Sequence, residues 1–598
     1  MPDRAAQQLD VAESRRRAAF LRVVAERPTP GPGGPPIRES RSRKDRIRRR
    51  ALSFPGRRTL PKVLLFRNII DPGPAAGSLH NATFYLASAL RAAGVAVVLS
   101  DARLSRLSEK GPWGLEALGR LLKEHPDVTL AGLTLYDACF EESRRLLSFL
   151  RARTRAFTAV GGIMPTLNPR EVFVHLPQAH LICRGAGELV LPEVLVALGP
   201  CDASAPLPPE QRAALAGVDG VLFGDEGGQV WAAAERAPWA ADLDRSALDF
   251  SLLEKDDAVR GLCLSLSRGC RYGCSFCASM DRGRFSGKSP EAVAAHLSSY
   301  GRRLKELFGA WSRVPPAAFG VGFYDDDFLS DRRRALGILE VFKRSPFFVL
   351  FIQTAVNSFF RVRNGRPTDE LDTGLLGGLS PGLFAPKVGG TAAAPPERPW
   401  VYIGTESFCD AELGRLGKGY GCGRSAKAAM ALSKAGIRQA HHLIVANAET
   451  RLEDLVEGAG RIVRLQALCG EPFGLLEPPT PNLVSFYPTA SWRRLVRLGL
   501  RDQVEVRRTL RLEGFPEFDY PLVDRDVPAD PDAREFAARA ARGELADWRT
   551  ELDGLLATAL LRSEELGLSG KDKARAAALR RAVDLWHRPP ALILGVAE

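Results

Sequence analysis

Twice along the chain, short apolar runs alternate with amphipathic stretches of ten or so residues, and this alternation limits the fold more than any other feature. The first series begins at Leu60. PKVLLFRNII reads as a buried strand and NATFYLASALRAAG (81–94) as an amphipathic helix closed by Gly94. The strand VAVVLSD, the helix EALGRLLKEHP and the strand VTLAGLTLY (128–136) follow. Next come a helix around EESRRLLSFLRART, the strand AFTAVGG (156–162), and LICRGAGE (181–188) leading into a helix. Such a series predicts a doubly wound parallel sheet, which binds ligands at the carboxyl ends of its strands. The second series has strands at LCLSLS (262–267), FGVGFYD (319–325), FFVLFIQTA (347–355), VYIGTES (401–407), AHHLIVAN (440–447) and NLVSFYP (482–488). Helices such as PEAVAAHLSSYGRRLKELF, RRRALGILEVFKRS and SAKAAMALSKAG fill most gaps, and six βα-like units predict an open or partial barrel.

At 598 residues the chain is too long for one hydrophobic core, and 45% apolar with 26% charged residues is the composition of a globular protein. The expected organisation is a basic extension over 1–59, a Rossmann-like domain over 60–199, a linker over 200–255, a partial barrel over 256–492, and a charged, mainly helical region over 493–598. GLSPGLFAPKVGGTAAAPPERP (378–399) reads as an insertion loop. No apolar run reaches the roughly 20 residues of a membrane span, and the charged N-terminus lacks the apolar centre of a signal peptide, so the expected location is cytoplasmic.

The formal charge of +13 is uneven: residues 1–62 carry seventeen Lys/Arg against six Asp/Glu. A basic arm of this kind suits nucleic acid or anionic lipid. The plainer reading is a solvated extension, because PTPGPGGPPIRESRSRKDRIRRR cannot build a core and no aromatic residues interleave its charges as base-stacking platforms. Nucleic acid is therefore not the expected partner.

Ten cysteines are few for this length, and three of them fall within SRGCRYGCSFC (267–277): Cys270, Cys274 and Cys277. In a reducing compartment such a cluster points to a metal or catalytic site. A zinc knuckle needs a fourth ligand; the nearest downstream histidine is His296, on a predicted helix. A disulfide fits poorly with an odd trio. An iron–sulfur cluster held by thiolates is the third option. The trio directly follows a strand, and Gly269 and Gly273 let the backbone wrap closely around a bulky group.

Cys-x-x-x-Cys-x-x-Cys in the loop after the first barrel strand resembles the radical S-adenosylmethionine (SAM) superfamily. The resemblance implies a [4Fe-4S] cluster on Cys270, Cys274 and Cys277 with one iron left for SAM, and Phe276 packing near the adenine. It also implies SAM contacts from the acidic run FYDDDF (Asp325, Asp326, Asp327) and from VYIGTES (Glu406 and Ser407), with Lys418 following in GRLGKGY. From the residues alone, the three aspartates read equally as an acidic cluster at a helix N-terminus. Cys263 reads as a buried strand residue. Cys139, Cys183, Cys201, Cys409, Cys422 and Cys469 read as core or surface thiols, with a second catalytic role for Cys409 or Cys422 the exception.

FYLASALRAAGVAVVLSD, VGGIMPTLNP (160–169) and CRGAGELVLPEVL (183–195) resemble the cobalamin-binding domain that precedes the barrel in one radical SAM subgroup; with the barrel, the likeness covers about 60–490. It implies a cobalamin site at Gly161, Gly162, Gly185, Gly187 and Glu188, with Ala186 where the subgroup carries a Glu. The Asp-x-His-x-x-Gly motif that supplies a lower cobalt ligand in many cobalamin domains is not present. His80 in DPGPAAGSLHNAT reads as a surface residue, and Asn81 and Thr83 as a helix cap or a lining of the cobalamin face.

The resemblance implies a cobalamin-dependent radical SAM enzyme, foremost a C-methyltransferase acting on an unactivated carbon of a small-molecule, lipid or peptide substrate. An electron donor such as flavodoxin or ferredoxin would be its partner. Cyclisation or rearrangement, with or without bound cobalamin, is the alternative within the class. A nucleic-acid-binding protein with a structural metal site is the rival outside it.

Overall fold

The structure, a computed structural model, describes residues 61–67, 79–541 and 554, apart from 105–106, 225–229, 233–238, 240–241, 260, 280, 388–398, 476–479, 488 and 512–518. The basic extension and most of the expected C-terminal helices lie outside the described residues, as does half of the expected insertion loop. The chain divides into two compact units, residues 1–254 with 510–519, and 255–509 with 520–598.

The first unit is a seven-stranded sheet. Its elements are β1 (Lys62–Phe66), α1 (Asn81–Ala92), β2 (Ala96–Ser100), α2 (Leu115–Glu124), β3 (Leu130–Thr134), α3 (Phe140–Arg153), β4 (Phe157–Gly161), β5 (Leu181–Cys183), α4 (Gly187–Leu198), α5 (Pro209–Ala216), β6 (Val221–Gly224) and β7 (Val230–Ala232). The strand order is β2-β1-β3-β4-β5-β6-β7. β1 to β5 are parallel, and the apolar runs KVLLF and FTAVG are the continuous kind that helices on both faces require. Val63, Leu130, Ala159 and Leu181 share one core with Leu90 of α1 and Val194 of α4. Chain direction across the sheet reverses between β1 and β3, which opens a crevice at their carboxyl ends. Residues 200–255 are more than a linker: α5, β6 and β7 lie there, and the two strands extend the sheet antiparallel.

The second unit carries a parallel sheet in the order β17-β16-β15-β12-β11-β8. These strands are β8 (Leu262–Leu264), β11 (Gly320–Phe323), β12 (Phe348–Ala355), β15 (Val401–Glu406), β16 (Gln439–Ala446) and β17 (Phe473–Leu475). Helices follow them: α6 (Pro290–Phe308), α7 (Arg332–Lys343), the short α8 (Asp410–Arg415), α9 (Cys422–Lys434) and α10 (Leu452–Cys469). α6 starts at Ser289, whose hydroxyl accepts the Ala292 N–H at 3.1 Å, a cap worth about 1 kcal/mol, with Pro290 at its first turn. Its Tyr300 stacks on Phe347 at 5.6 Å between centroids, and Phe323 of β11 meets Phe342 of α7 at 5.3 Å, so one face of the sheet is closed by aromatic packing. The result is a partial (β/α)6 barrel.

Several local expectations are corrected. LCLSLS is not one strand: β8 stops at Leu264, and Ser267–Arg268 (β9) pairs instead with Ser286–Gly287 (β10). The cause is Asp325, whose carboxylate takes the Leu266 and Ser267 N–H groups that a continuing ladder would use. NLVSFYP is not a strand either; the strand is Thr480–Asn482 (β18) beside β16, and Ser485 beyond it is held by the Asp526 carboxylate. A hairpin, Phe360–Arg363 (β13) with Arg366–Leu371 (β14), follows β12. The C-terminal region holds Ala490–Arg497 (α11) and Pro531–Ala541 (α12), but also Val504–Leu510 (β19) paired with Tyr520–Asp526 (β20), where the alternation of VEVRRTL favours strand.

Candidate functional sites

In the second unit the three cysteines occupy the loop between β9 and β10, at the carboxyl side of β8. Cys270 accepts the Gly283 N–H on its carbonyl at 2.7 Å, and Arg282 donates to the Cys274 carbonyl at 3.2 Å, so the loop closes on itself. Gly269 is required by conformation and by space. Its φ is +81°, and a Cβ there would stand 2.4 Å from the Arg284 carbonyl oxygen. Gly273 has no such constraint, since a Cβ there meets nothing within 4 Å.

A second loop, distant in sequence, docks on this one. Ser275 donates its N–H to the Leu416 carbonyl at 2.9 Å and its hydroxyl to the Arg415 carbonyl at 3.0 Å. Gly417, at φ +66°, approaches so closely that a Cβ would lie 3.3 Å from Ser275 N. Arg415 is fixed by Glu412 at 2.6 Å and Asp454 at 2.8 Å. This docking carries Lys418 to the site. Its ammonium donates to the Gly404 carbonyl at 2.8 Å, pairs with Glu406 at 3.4 Å, and lies 6.0 Å from the Phe276 ring centre. Burial works against its charge, but Tyr420, Glu406 and the nearby Cys274 outweigh burial and hold the Lys418 pKa above its ordinary value.

Glu406 ends β15 at φ +66°, a region a non-glycine residue rarely adopts, and the ladder to β16 shifts register at this point. Gly404 makes room for it: a Cβ there would sit 3.0 Å from the Glu406 carboxylate. Ser407 has another task. Its hydroxyl accepts the Cys409 N–H at 3.0 Å as the chain enters α8.

The acidic run splits into distinct roles. Asp325 and Asp327 are 0% exposed. Asp325 accepts from Leu266 N at 2.6 Å and Ser267 N at 3.0 Å and faces Arg334 at 3.5 Å. Asp327 accepts from the Thr354 and Ser358 hydroxyls, both at 2.7 Å. Burial pushes both carboxyls up. Asp325 thus holds the stretch that leads into the cysteine loop, and Asp327 holds the end of β12 and the turn after it. Asp326 is exposed and accepts the Gly269 N–H at 3.0 Å.

The thiols fit a cluster. All three are half-buried. Burial, with Asp327 beside it, pushes Cys270 up to about 12, and burial raises Cys277; such thiols need a bound metal to remain thiolates at neutral pH. Among the described residues no three His, Cys, Asp or Glu side chains converge as ligands of one ion. Cys263 is half-buried and not part of the core. Cys409 and Cys422 are buried against Asp454 and Asp410, and burial raises both thiols.

The first unit gathers its expected residues at the strand ends. Gly162, at φ +104°, follows β4, and a Cβ on it would lie 2.8 Å from Thr134 Cγ2. Thr166, which sequence reasoning quoted within VGGIMPTLNP but did not single out, ties two loops together. Its hydroxyl donates to Gly162 O at 2.7 Å and accepts the Gly185 N–H at 2.9 Å. Gly161 ends β4, Gly185 (φ +74°) follows β5, and Gly187 and Glu188 open α4. The structure thus brings together the ends of β3, β4 and β5. Thr83 bonds the Phe66 carbonyl at 2.9 Å. His80 is half-buried. Its N–H bonds Arg67 O at 2.8 Å beside the crevice, burial lowers its pKa, and its buried Nδ1 has no hydrogen-bond partner among the described residues. Glycine-lined strand ends and an orphaned polar nitrogen fit a bound group there.

The B12 binding domain family matches residues 77–195. The anaerobic magnesium-protoporphyrin IX monomethyl ester cyclase of Synechocystis sp. (strain ATCC 27184 / PCC 6803 / Kazusa) is 26% identical over 191 residues, 31% of this chain; the match spans 35% of that protein's length. The solved cobalamin-dependent S-adenosylmethionine radical enzyme OxsB, with aqua-cobalamin and S-adenosylmethionine bound, superposes with a TM-score of 0.56 at 17% identity, over 88% of this chain and 72% of that one. The radical S-adenosylmethionine methyltransferase TsrM from Kitasatospora setae, with cobalamin and a [4Fe-4S] cluster bound, gives 0.54 at 15% identity, over 88% of this chain and 100% of that one. Among the described residues no helix is long and apolar enough to cross a membrane. Residues 77–195 thus match the B12 binding domain family, and the fold of the chain is that of solved cobalamin-dependent radical SAM enzymes.

Proposed function

We propose that this chain is a cobalamin-dependent C-methyltransferase acting on an unactivated carbon of a small-molecule, lipid or peptide substrate, with flavodoxin or ferredoxin as electron donor. The observation that carries the reading is the docking of the 415–418 loop on the cysteine loop through Ser275, which brings Lys418 and Glu406 toward Cys270, Cys274 and Cys277. A [4Fe-4S] cluster with SAM supplies a 5′-deoxyadenosyl radical and cobalamin supplies a methyl carrier. The three cysteines hold the cluster. Phe276 offers its ring to the adenine, and Glu406 and Lys418 present one charge of each sign to the methionyl and ribose groups of SAM. Asp326 steadies the loop at Gly269. Gly161, Gly162, Gly185, Gly187 and Glu188 frame the cobalamin site.

Radical cyclisation is the second reading, supported by the likeness to a relative named as a cyclase. One experiment tests both. Reconstituted enzyme is incubated anaerobically with SAM, hydroxocobalamin and a low-potential reductant, and the nucleoside products are quantified. The methyltransferase reading expects S-adenosylhomocysteine together with 5′-deoxyadenosine. Cyclisation expects 5′-deoxyadenosine alone. Products that persist in Cys274→Ala at the wild-type rate overturn the assignment of the cluster ligands.

A further inference from the structure

The two faces of the barrel sheet differ. On one, Val349, Ile352, Val401, Ile403 and Phe323 are almost wholly buried. On the other, Cys263, Phe351, Tyr402 and His442 remain partly exposed, and Tyr324, directly after β11, is 43% exposed. Neighbouring strands place these rings in a continuous row. Tyr324 and Phe351 stand 5.2 Å apart between centroids, Phe351 and Tyr402 5.5 Å, and Tyr402 and His442 5.9 Å. Gly322 opens the row, because a Cβ there would strike the Phe351 ring at 2.5 Å. Core aromatics bury their surfaces; a row of partly exposed rings on the inner face of a barrel offers those surfaces to a ligand.

The row is also uncharged. Among the strands β8, β11, β12 and β15 to β17, Glu406 is the only carboxylate, it lies at the carboxyl end beside Lys418, and none of these strands contains Lys or Arg. Burial and the Cys263 side chain push the Tyr324 phenol up to about 12, and burial lowers the His442 imidazole, so both are neutral at pH 7. Along the row itself a phosphate or carboxylate would find no cation on these strands, Lys418 being at their carboxyl end and paired with Glu406, whereas a flat π-system would meet ring edges and faces and neutral donors at its rim.

We propose that Tyr324, Phe351, Tyr402 and His442 form a substrate wall that receives an uncharged, flat, conjugated ring of the substrate. The proposal rests on the radical SAM reading above and names the substrate class of the same barrel.

The test uses ligand-observed NMR titration of the full-length, cluster-loaded enzyme with SAM. The probes are 2-naphthol, its saturated counterpart decahydro-2-naphthol, and the anion 2-naphthoate. The expected result is that 2-naphthol binds about tenfold more tightly than either of the others, the size of one or two favourable ring contacts. Phe351→Leu and Tyr402→Leu, which keep apolar bulk, are each expected to abolish that preference. Equal binding of the three probes, preference for the anion, no binding by any of them, or a preference untouched by both variants overturns the proposal. Electron paramagnetic resonance of the same samples separates the two levels. If SAM shifts the cluster signal and the ring preference is missing, only the substrate wall fails; if SAM does not shift it, the radical SAM reading fails.

Discussion

Asp325 offers the sharpest test of whether the acidic run after β11 serves the cluster loop or SAM. In Asp325→Asn the side-chain oxygen keeps its place between Leu266 N and Ser267 N, at 2.6 and 3.0 Å, so the backbone bonds survive. What changes is the face toward Arg334, 3.5 Å away and 8% exposed, which loses its anion and meets an amide N–H₂. Breaking a buried pair from one side costs about 3–5 kcal/mol. Here burial already pushes the Asp325 carboxyl up, so part of the ion's desolvation cost is uncompensated, and Arg334 keeps the Leu266 and Lys288 carbonyls at 2.7 and 2.9 Å. The lower end, about 3 kcal/mol, is therefore expected. For a unit of this size that corresponds to a fall in Tm of roughly 5 °C. The assay is differential scanning calorimetry of the cluster-loaded protein beside SAM titration by calorimetry. The expected outcome is the lowered transition, reduced iron loading, and SAM affinity within about twofold of wild type in the loaded fraction. An unchanged Tm with SAM affinity reduced tenfold or more would refute the bracing role and make Asp325 a SAM contact.

Gly269→Ala forces a left-handed φ on a residue with a Cβ and drives that Cβ into the Arg284 carbonyl, at a cost of more than about 2 kcal/mol; iron per chain after reconstitution is expected to fall below half of wild type. Gly162→Ala meets the same conformational penalty beside Thr134 and is expected to lower cobalamin retained after gel filtration, read from its visible absorbance, without altering iron content. Asp526 supplies a pH dependence. Burial raises its carboxyl to about 6 against the opposing Ser485 hydrogen bonds. A raised carboxyl binds its proton more tightly folded than unfolded, so the stability it contributes is present below about pH 4 and lost as pH rises through about 6. Asp526→Asn is expected to flatten the Tm-against-pH curve over that window and to raise Tm at pH 8, measured by thermal melts across the range.

What the sequence determined by itself is what local pattern can carry. The period of apolar residues marks strands and helices, and their alternation dictates parallel sheets; KVLLF and FTAVG can lie only where both faces are covered. The spacing of Cys270, Cys274 and Cys277 is likewise local, because one short loop must present all three. Tertiary structure decided matters of direction and of partners far along the chain. Asp325, Asp326 and Asp327 are adjacent and chemically identical, yet successive side chains leave an extended chain on opposite sides. Two of them turn inward to Leu266, Arg334, Thr354 and Ser358 while the middle one faces out. No local signal reveals that Leu416 docks on Ser275, or that Phe351 and Tyr402 stand ring to ring on neighbouring strands. The short apolar runs of β6 and β7 gave no hint that they would join the first sheet antiparallel, because edge pairing depends on which strand edge remains open after the parallel part has formed. Local periodicity sets what each segment is; which groups meet depends on contacts between segments that only the folded chain brings into range.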